Sequence, residues 1–347
     1  MKILIVKLGA LGDVINTFPL VINIKQGLNA QIHWLVAPLS FPLVKDHECV
    51  DKAILFDRRI TGRSLMETVK QIRQTEYDIV LDLQRLLKSG VLTMVARGKR
   101  KISFDRKRCK EMSWLFPFER ITPSDSGAHM LTQYMEFAKH LDIVPGKIEW
   151  QIPWIGHRVS NPEGDNIYES HDKFIKNFHD LLSGCSSDQP HGGYIVLNIG
   201  ATKPANRWKT KYFAKLADMI DEKTDHKIVI TGGAEDQPYA EIIKDRACCK
   251  AVDLCGKTSL KELVHIIDKA ECVISCDTGP MHLAIALQTK VIALFGPSDP
   301  GRTGPYKGVV IQKKISCSPC NKKKCKHPIC MEAIKPEHVM EKLLKVL

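Results

Sequence analysis

Two short segments carry residue types that could do chemistry, and they stand in opposite halves of the chain. In KLGALGDVINTFP (7–19), Gly9 and Gly12 mark the point where an apolar run gives way to a helical pattern, and Asp13 follows at once. A carboxylate there can act as a general base, taking a proton from an attacking hydroxyl. It can equally cap the helix, since aspartate is a preferred N-cap residue and negative charge suits a helix N-terminus. The glycines, three apart with no third, form neither G-x-G-x-x-G nor a Walker A loop, which needs Gly-Lys-Ser/Thr. A nicotinamide dehydrogenase or P-loop NTPase is therefore disfavoured. Small residues at this turn let a substrate approach the backbone.

In the second segment, CDTGPMHLAIALQTKVIALFGPSDPGRTGPY (276–306), a strand ends at Cys276–Asp277, Thr278 can cap, and Gly279-Pro280 suits a first helical turn. The backbone N–H groups of Thr278 and Gly279, with the helix dipole behind them, make an anion site suited to a diphosphate; a plain strand-to-helix turn is the simpler alternative. His282, one turn in, can touch phosphate or sugar, or only pack the helix. In Gly232-Gly233-Ala234-Glu235-Asp236, Glu235 can accept hydrogen bonds from ribose hydroxyls, with Asp236 as the alternative N-cap. In the first half, Asp82, Gln84 and Lys88 follow a strand and can line a second substrate's side.

The elements that must position these groups are legible as rhythm. Apolar runs at 2–7, 31–37, 52–57, 77–83, 194–200, 227–233, 251–255, 272–277 and 291–296 alternate with amphipathic stretches such as 64–76 and 259–270. This pattern predicts two doubly wound α/β units with parallel sheets covered on both faces. We expect domains at 1–160 and 191–347 and a linker over 161–190, rich in Pro, Gly and polar residues. Ligands of open α/β sheets bind at the carboxyl ends of strands, so a cleft between two such units, faced by Asp13, is the expected place for chemistry.

Gly9-Ala-Leu-Gly12-Asp13, Asp82-x-Gln84-x-x-Leu87-Lys88-Ser89, Gly200-Ala-Thr202 leading to Arg207-Trp208, Gly232-Gly233, Asp277-Thr278-Gly279-Pro280-Met281-His282 and Phe295-Gly296-Pro297 together resemble glycosyltransferase family 9. That family comprises the ADP-heptose:lipopolysaccharide heptosyltransferases of the bacterial inner core. The resemblance implies a GT-B fold, an acceptor held mainly by the N-terminal domain (Gly12, Gln84, Lys88) and a sugar nucleotide held by the C-terminal one. It implies inverting transfer with Asp13 as base, and donor contacts from Thr202, Lys203, Arg207, Glu235, Asp277, Thr278, Gly279 and His282. It departs at Asn206, where family members usually carry a phosphate-contacting lysine; Arg207, Lys203 or Lys209 are the candidates to supply that charge. Arginine forks around two oxygens where lysine is a point charge.

Bulk properties bound the alternatives. A length of 347 residues suits two domains, and a net charge of +12 implies an anionic partner. Nucleic acid is not expected, because no binding module is recognisable and aromatics are 7%. The basic run 97–110, whose only acid is Asp105, has a natural counterpart in an anionic glycolipid acceptor and the inner membrane surface, where we expect peripheral contact. With no apolar stretch long enough to span and no export signal, a cytoplasmic protein with reduced thiols is expected. Cys317, Cys320, Cys325 and Cys330 are spaced as four zinc ligands could be, but lack the long separation of a zinc ribbon, so reduced thiols closing a lysine-rich loop are preferred. No Asp-x-Asp stands beside the diphosphate candidate, so neither metal nor other cofactor is expected. A non-catalytic sugar-nucleotide binder remains the alternative; Asp13 separates the two, because a pure binder gains nothing from a carboxylate beside a diphosphate.

Overall fold

All nine apolar runs form strands, and Ile3–Val6, Ile195–Leu197 and Val273–Ile274 are inaccessible to solvent. The computed structural model describes residues 1–57, 62–153, 167–183 and 193–347. Contacts divide the chain into two units, Met1–Pro153 and Trp154–Leu347.

The first unit runs β1 (Lys2–Val6), α1 (Leu11–Ile15), α2 (Phe18–Leu28), β2 (Gln31–Val36), α3 (Phe41–Lys45), β3 (Lys52–Leu55), α4 (Gly62–Arg73), β4 (Glu76–Asp82), α5 (Leu87–Val95), β5 (Arg97–Ser103), β6 (Glu119–Arg120) and α6 (Met130–His140). Its strands are parallel in the order β3-β2-β1-β4-β5-β6. The order reverses between β1 and β4, which is where a doubly wound sheet opens a crevice at its carboxyl edge.

The second unit runs α7 (Ile167–Ser183), β7 (Tyr194–Asn198), α8 (Thr210–Lys223), β8 (Lys227–Thr231), α9 (Gln237–Arg246), β9 (Ala251–Asp253), α10 (Leu260–Asp268), β10 (Cys272–Cys276), α11 (Gly279–Ala286), β11 (Lys290–Phe295), α12 (Pro300–Thr303), β12 (Val309–Gln312), α13 (Ile329–Glu332) and α14 (Pro336–Val346). The sheet order β12-β11-β10-β7-β8-β9, again all parallel, reverses between β7 and β10. Trp208, Phe213, Ile230, Leu294 and Leu343 belong to one buried core, so the closing helix α14 is part of this unit. Much of the expected 161–190 linker, at 161–166 and 184–190, lies outside the described residues; its described part, α7, is a 17-residue helix.

Three further strands, β5, β6 and β12, lie outside the nine apolar runs, with β6 and β12 at sheet edges and β5 between β4 and β6. β5 narrows the expectation that the basic run 97–110 faces an anionic glycolipid and the membrane surface. Arg97, Lys99 and Arg100 pair with Glu76, Asp78 and Glu119, so cross-strand charge pairs take the place of apolar contacts. Arg100 also holds the Glu119 carboxyl down at about 2. Arg108 is buried between Asp105 and Glu136. Half of the cations expected to face an outside anion are thus neutralised within the protein.

Candidate active site

At the first switch point, β1 ends and Lys7 and Leu8 lead into Gly9, whose φ of +153° is a conformation side chains disfavour. Gln84, just after β4, reaches across: its Oε1 accepts from Leu8 N (3.0 Å) and Gly9 N (3.3 Å). Gln84 therefore holds the loop in place. Helix α1 then starts with Ala10 as N-cap and no side-chain cap bond, which puts Asp13 at the third helical position. Asp13 is not the cap, and Gly12 is buried in the same turn.

The Asp13 carboxylate is 36% exposed and accepts from Lys7 Nζ at 3.2 Å, while the Lys7 side chain is 1% exposed and lies 5.2 Å from the centre of the Tyr134 ring. Burial pushes the Lys7 ammonium's pKa down, and attraction to Asp13 opposes part of that. Behind them Asp82 is fully buried. It accepts from Gln84 N (3.0 Å) and Arg85 N (3.3 Å) on one oxygen and Ser89 Oγ (3.2 Å) on the other. Burial pushes its carboxyl up to about 6. Lys88 is exposed, its ammonium 4.9 Å from the Phe56 ring centre. Beside the glycine loop lies a cavity of about 520 Å³ lined by Leu8 to Leu11, Ala37 to Ser40 and Asp57. Sequence reasoning missed Lys7, Ser40 and Asp57; only their position just after strand ends could have flagged them.

At the second switch point, Thr278 is the N-cap of α11 but its hydroxyl does not cap. It accepts from Asn198 Nδ2 (3.0 Å) and meets Ser275 Oγ at 3.2 Å. A helix leaves its first N–H groups without intrahelical partners, so Gly279 and Met281 present theirs outward, Pro280 having none. Asp277 accepts from Asn206 Nδ2 at 3.2 Å, and the same amide donates to Ser298 Oγ at 3.1 Å. Buried Asn206 thus ties the loops after β7, β10 and β11 together and supplies no charge.

Arg207 is also committed. It donates to Ile199 O (3.0 Å) and to Asp236 Oδ1 (2.7 Å), and its guanidinium lies 4.1 Å from the centre of the Tyr239 ring. Asp236 in turn accepts from Gly233 N at 2.9 Å, so it serves as the turn-capping residue, and Glu235 stays exposed. Gly200 and Gly232 are small because Asp236 sits against both, leaving a Cβ at either only 2.9 Å from it. Thr202 is exposed, Lys203 half-buried and His282 buried within α11. Cys276, beside Thr278, is inert as a thiolate, since burial pushes its thiol up to about 12.

The lysine-rich segment after β12 is fastened to this edge, which its sequence did not reveal. Cys320 N and Asn321 N donate to Pro297 O at 3.0 and 2.7 Å, and Ala205 N donates to Lys323 O at 3.1 Å. Pro297 follows β11 and Ala205 follows β7, the two neighbours of β10, so the segment bridges the strand end that carries Thr278. Cys317, Cys320 and Cys325 are exposed and Cys330 buried; among the described residues no group of His, Cys, Asp or Glu is arranged to hold a metal ion.

The profile of glycosyltransferase family 9 (heptosyltransferase) matches residues 65–330. A lipopolysaccharide core heptosyltransferase, OpsX of Haemophilus influenzae, is 27% identical over 310 residues, covering 87% of this chain and 81% of that protein. Among solved structures, a family 9 glycosyl transferase from Veillonella parvula aligns with a TM-score of 0.80 at 19% identity, over 99% of this chain and 96% of that one. The E. coli heptosyltransferase WaaC, solved with ADP, aligns with a TM-score of 0.74 at 22% identity over the whole of both chains. At these identities the structural likeness speaks for a shared GT-B fold.

Proposed function

The chain belongs to glycosyltransferase family 9, and from that premise we propose that it moves a heptose, or a closely related sugar, from an ADP-sugar to a hydroxyl of the lipopolysaccharide inner core. The observation that supports turnover over mere binding is the Lys7–Asp13 pair: a partly exposed carboxylate at the third helical position, oriented by a buried ammonium at a switch point. In this reading Asp13 takes the proton of the acceptor hydroxyl as that oxygen attacks the anomeric carbon from the face opposite the departing ADP. The configuration inverts. The sugar passes through oxocarbenium character, and negative charge grows on the leaving diphosphate.

Donors fixed beforehand stabilise such charge best. We assign this to the Gly279 and Met281 N–H groups, with His282, Thr202 and Lys203 at the same edge and Glu235 toward the ribose. Since Asn206 and Arg207 are paired internally, the diphosphate's counter-charge falls to Lys203 and to the segment Lys322–Lys326. Gly12, Lys88 and the cavity beside the loop receive the acceptor, with Gln84 positioning the loop. No divalent cation is needed in this scheme.

The acceptor is an anionic glycolipid, and the enzyme works in peripheral contact with the inner face of the cytoplasmic membrane. Among the described residues no helix is long and apolar enough to cross it. The test is incubation with a panel of ADP-, UDP- and GDP-sugars and truncated core acceptors, read by mass spectrometry with and without chelator. Growth of the acceptor by one heptose from ADP-heptose, unaffected by chelator, is expected. Transfer from a uridine or guanosine donor instead, or none from any, contradicts the proposal.

A further inference from the structure

Helix α5 buries Ser89, Gly90, Leu92 and Thr93 and turns Leu87, Val91 and Met94 to solvent, at 47%, 49% and 41% exposure. The spacing i, i+4, i+7 makes them one apolar stripe. Next to it is the segment 110–116. Lys110 N and Ser113 Oγ both donate to Arg85 O at 2.9 Å, and the Phe116 ring occupies the space where a side chain at Gly90 would stand. Two more large apolar side chains, Met112 at 58% and Leu115 at 55%, are exposed on this segment. Five such residues on adjoining elements form a patch of the kind that marks an interaction surface.

The rim of the patch is cationic. Lys101 Nζ donates to Met94 O at 2.6 Å, Arg106 lies 4.1 Å from the centre of the Trp114 ring, and Lys107 is exposed beside it. These differ from Arg97, Lys99 and Arg100 of β5, which face acids of neighbouring strands. An apolar stripe with lysine and arginine around it and an indole at its edge is the composition of a surface that lies in the headgroup region of a bilayer.

We propose that α5 and the Met112–Leu115 turn form the face that rests on an anionic lipid bilayer, with the apolar side chains in the headgroup boundary and Lys101, Arg106 and Lys107 on lipid phosphates. The partner is identified by charge and apolarity together: an acidic protein would match the rim but not five exposed aliphatic side chains. The inference rests on the reading that the acceptor is a membrane glycolipid, and it says which face the enzyme presents to it.

The experiment measures sedimentation with vesicles of phosphatidylglycerol and phosphatidylethanolamine, and with pure phosphatidylcholine, for the wild type and the double variant Val91→Asp/Leu115→Asp. Both positions are exposed and lie outside the assigned active site. Circular dichroism and transfer to a deacylated, water-soluble acceptor check that the variant is folded and competent. We expect the wild type to bind the anionic vesicles at least tenfold more tightly than the neutral ones, less so at high salt. The double variant should lose at least tenfold on anionic vesicles while keeping its far-ultraviolet spectrum and soluble-acceptor transfer. Failure of the wild type to bind, or equal binding by the variant, overturns the proposal. So does a wild-type dimer that the variant dissociates without loss of vesicle binding, which would make the face a contact between copies. If the wild type transfers nothing to the soluble acceptor, the assigned reaction fails while the vesicle comparison still decides this surface.

Discussion

Lys7 is a charge in a place that disfavours charge, held there by one carboxylate partner on the partly exposed side. Replacing it by methionine keeps the stem and removes the ammonium; Asp13, being 36% exposed, can then be satisfied by water. Lys7→Met should therefore fold with unchanged or slightly raised stability, yet lose about 10- to 100-fold in kcat as Asp13 loses its fixed orientation, with KM for the donor unchanged. A fall in donor affinity instead would place Lys7 in binding. Asp82 makes a second prediction. Its carboxyl sits at about 6 in the fold against about 3.9 in an unfolded chain. Between those values the folded form holds a proton that the unfolded form has released, so stability falls as pH rises from about 4 to 6 and levels off above. Two pKa units amount to about 3 kcal/mol, and Asp82→Asn should remove that slope from urea unfolding measured across the window. An identical slope in the variant would mean that another group titrates there.

At the scale of elements, the basic segment fastened across β10 carries the clearest consequence. Reversing Lys323 and Lys324 to glutamate should raise the donor KM roughly five- to fiftyfold at low salt, with little change in kcat and less effect as salt is added, since exposed charges are screened. Insensitivity of KM would return the diphosphate's charge balance to Lys203 and the helix end alone. This segment also shows where sequence ceased to be informative. The nine strands with apolar runs, the two glycine-bearing turns and α11 were legible because apolar runs and strand-to-helix turns are local signals. β5 was not, because its charged side chains are matched by Glu76, Asp78 and Glu119, 19 to 21 residues away on neighbouring strands, and not by an apolar run of its own. Nor was the commitment of Arg207 to Asp236 or of Asn206 to Asp277, since pairings across loops 29 and 71 residues apart leave no periodic trace. Asp13 could be read as cap or base from its neighbours, and it is Ala10, three residues earlier, that takes the N-cap position.

For the whole molecule, the two units repeat one architectural idea, a reversal of strand order with functional residues just beyond it, and divide the labour differently. The first has its carboxylate and ammonium at the β1 loop; the second has an uncapped helix start among neutral donors. ADP alone should therefore slow amide hydrogen exchange at 198–206 and 277–284 and leave 7–15 unaffected, while saturating ADP at about 100 times its Kd should add about 2.7 kcal/mol to stability. Protection confined to the β1 loop would reverse the assignment of donor and acceptor units. The chain's 51 lysines and arginines now have three separate uses: some are neutralised across β5, some flank the α5 face, and some lie near the second switch point.

The most direct test of the account is a comparison of wild type and Asp13→Asn with ADP-heptose and a core acceptor, following product by mass, anomeric configuration by NMR, and ADP affinity by calorimetry. The wild type should give an inverted product, and the variant should lose about 10²- to 10⁴-fold in kcat with ADP affinity equal within about twofold. A variant that transfers heptose at the wild-type rate would contradict this.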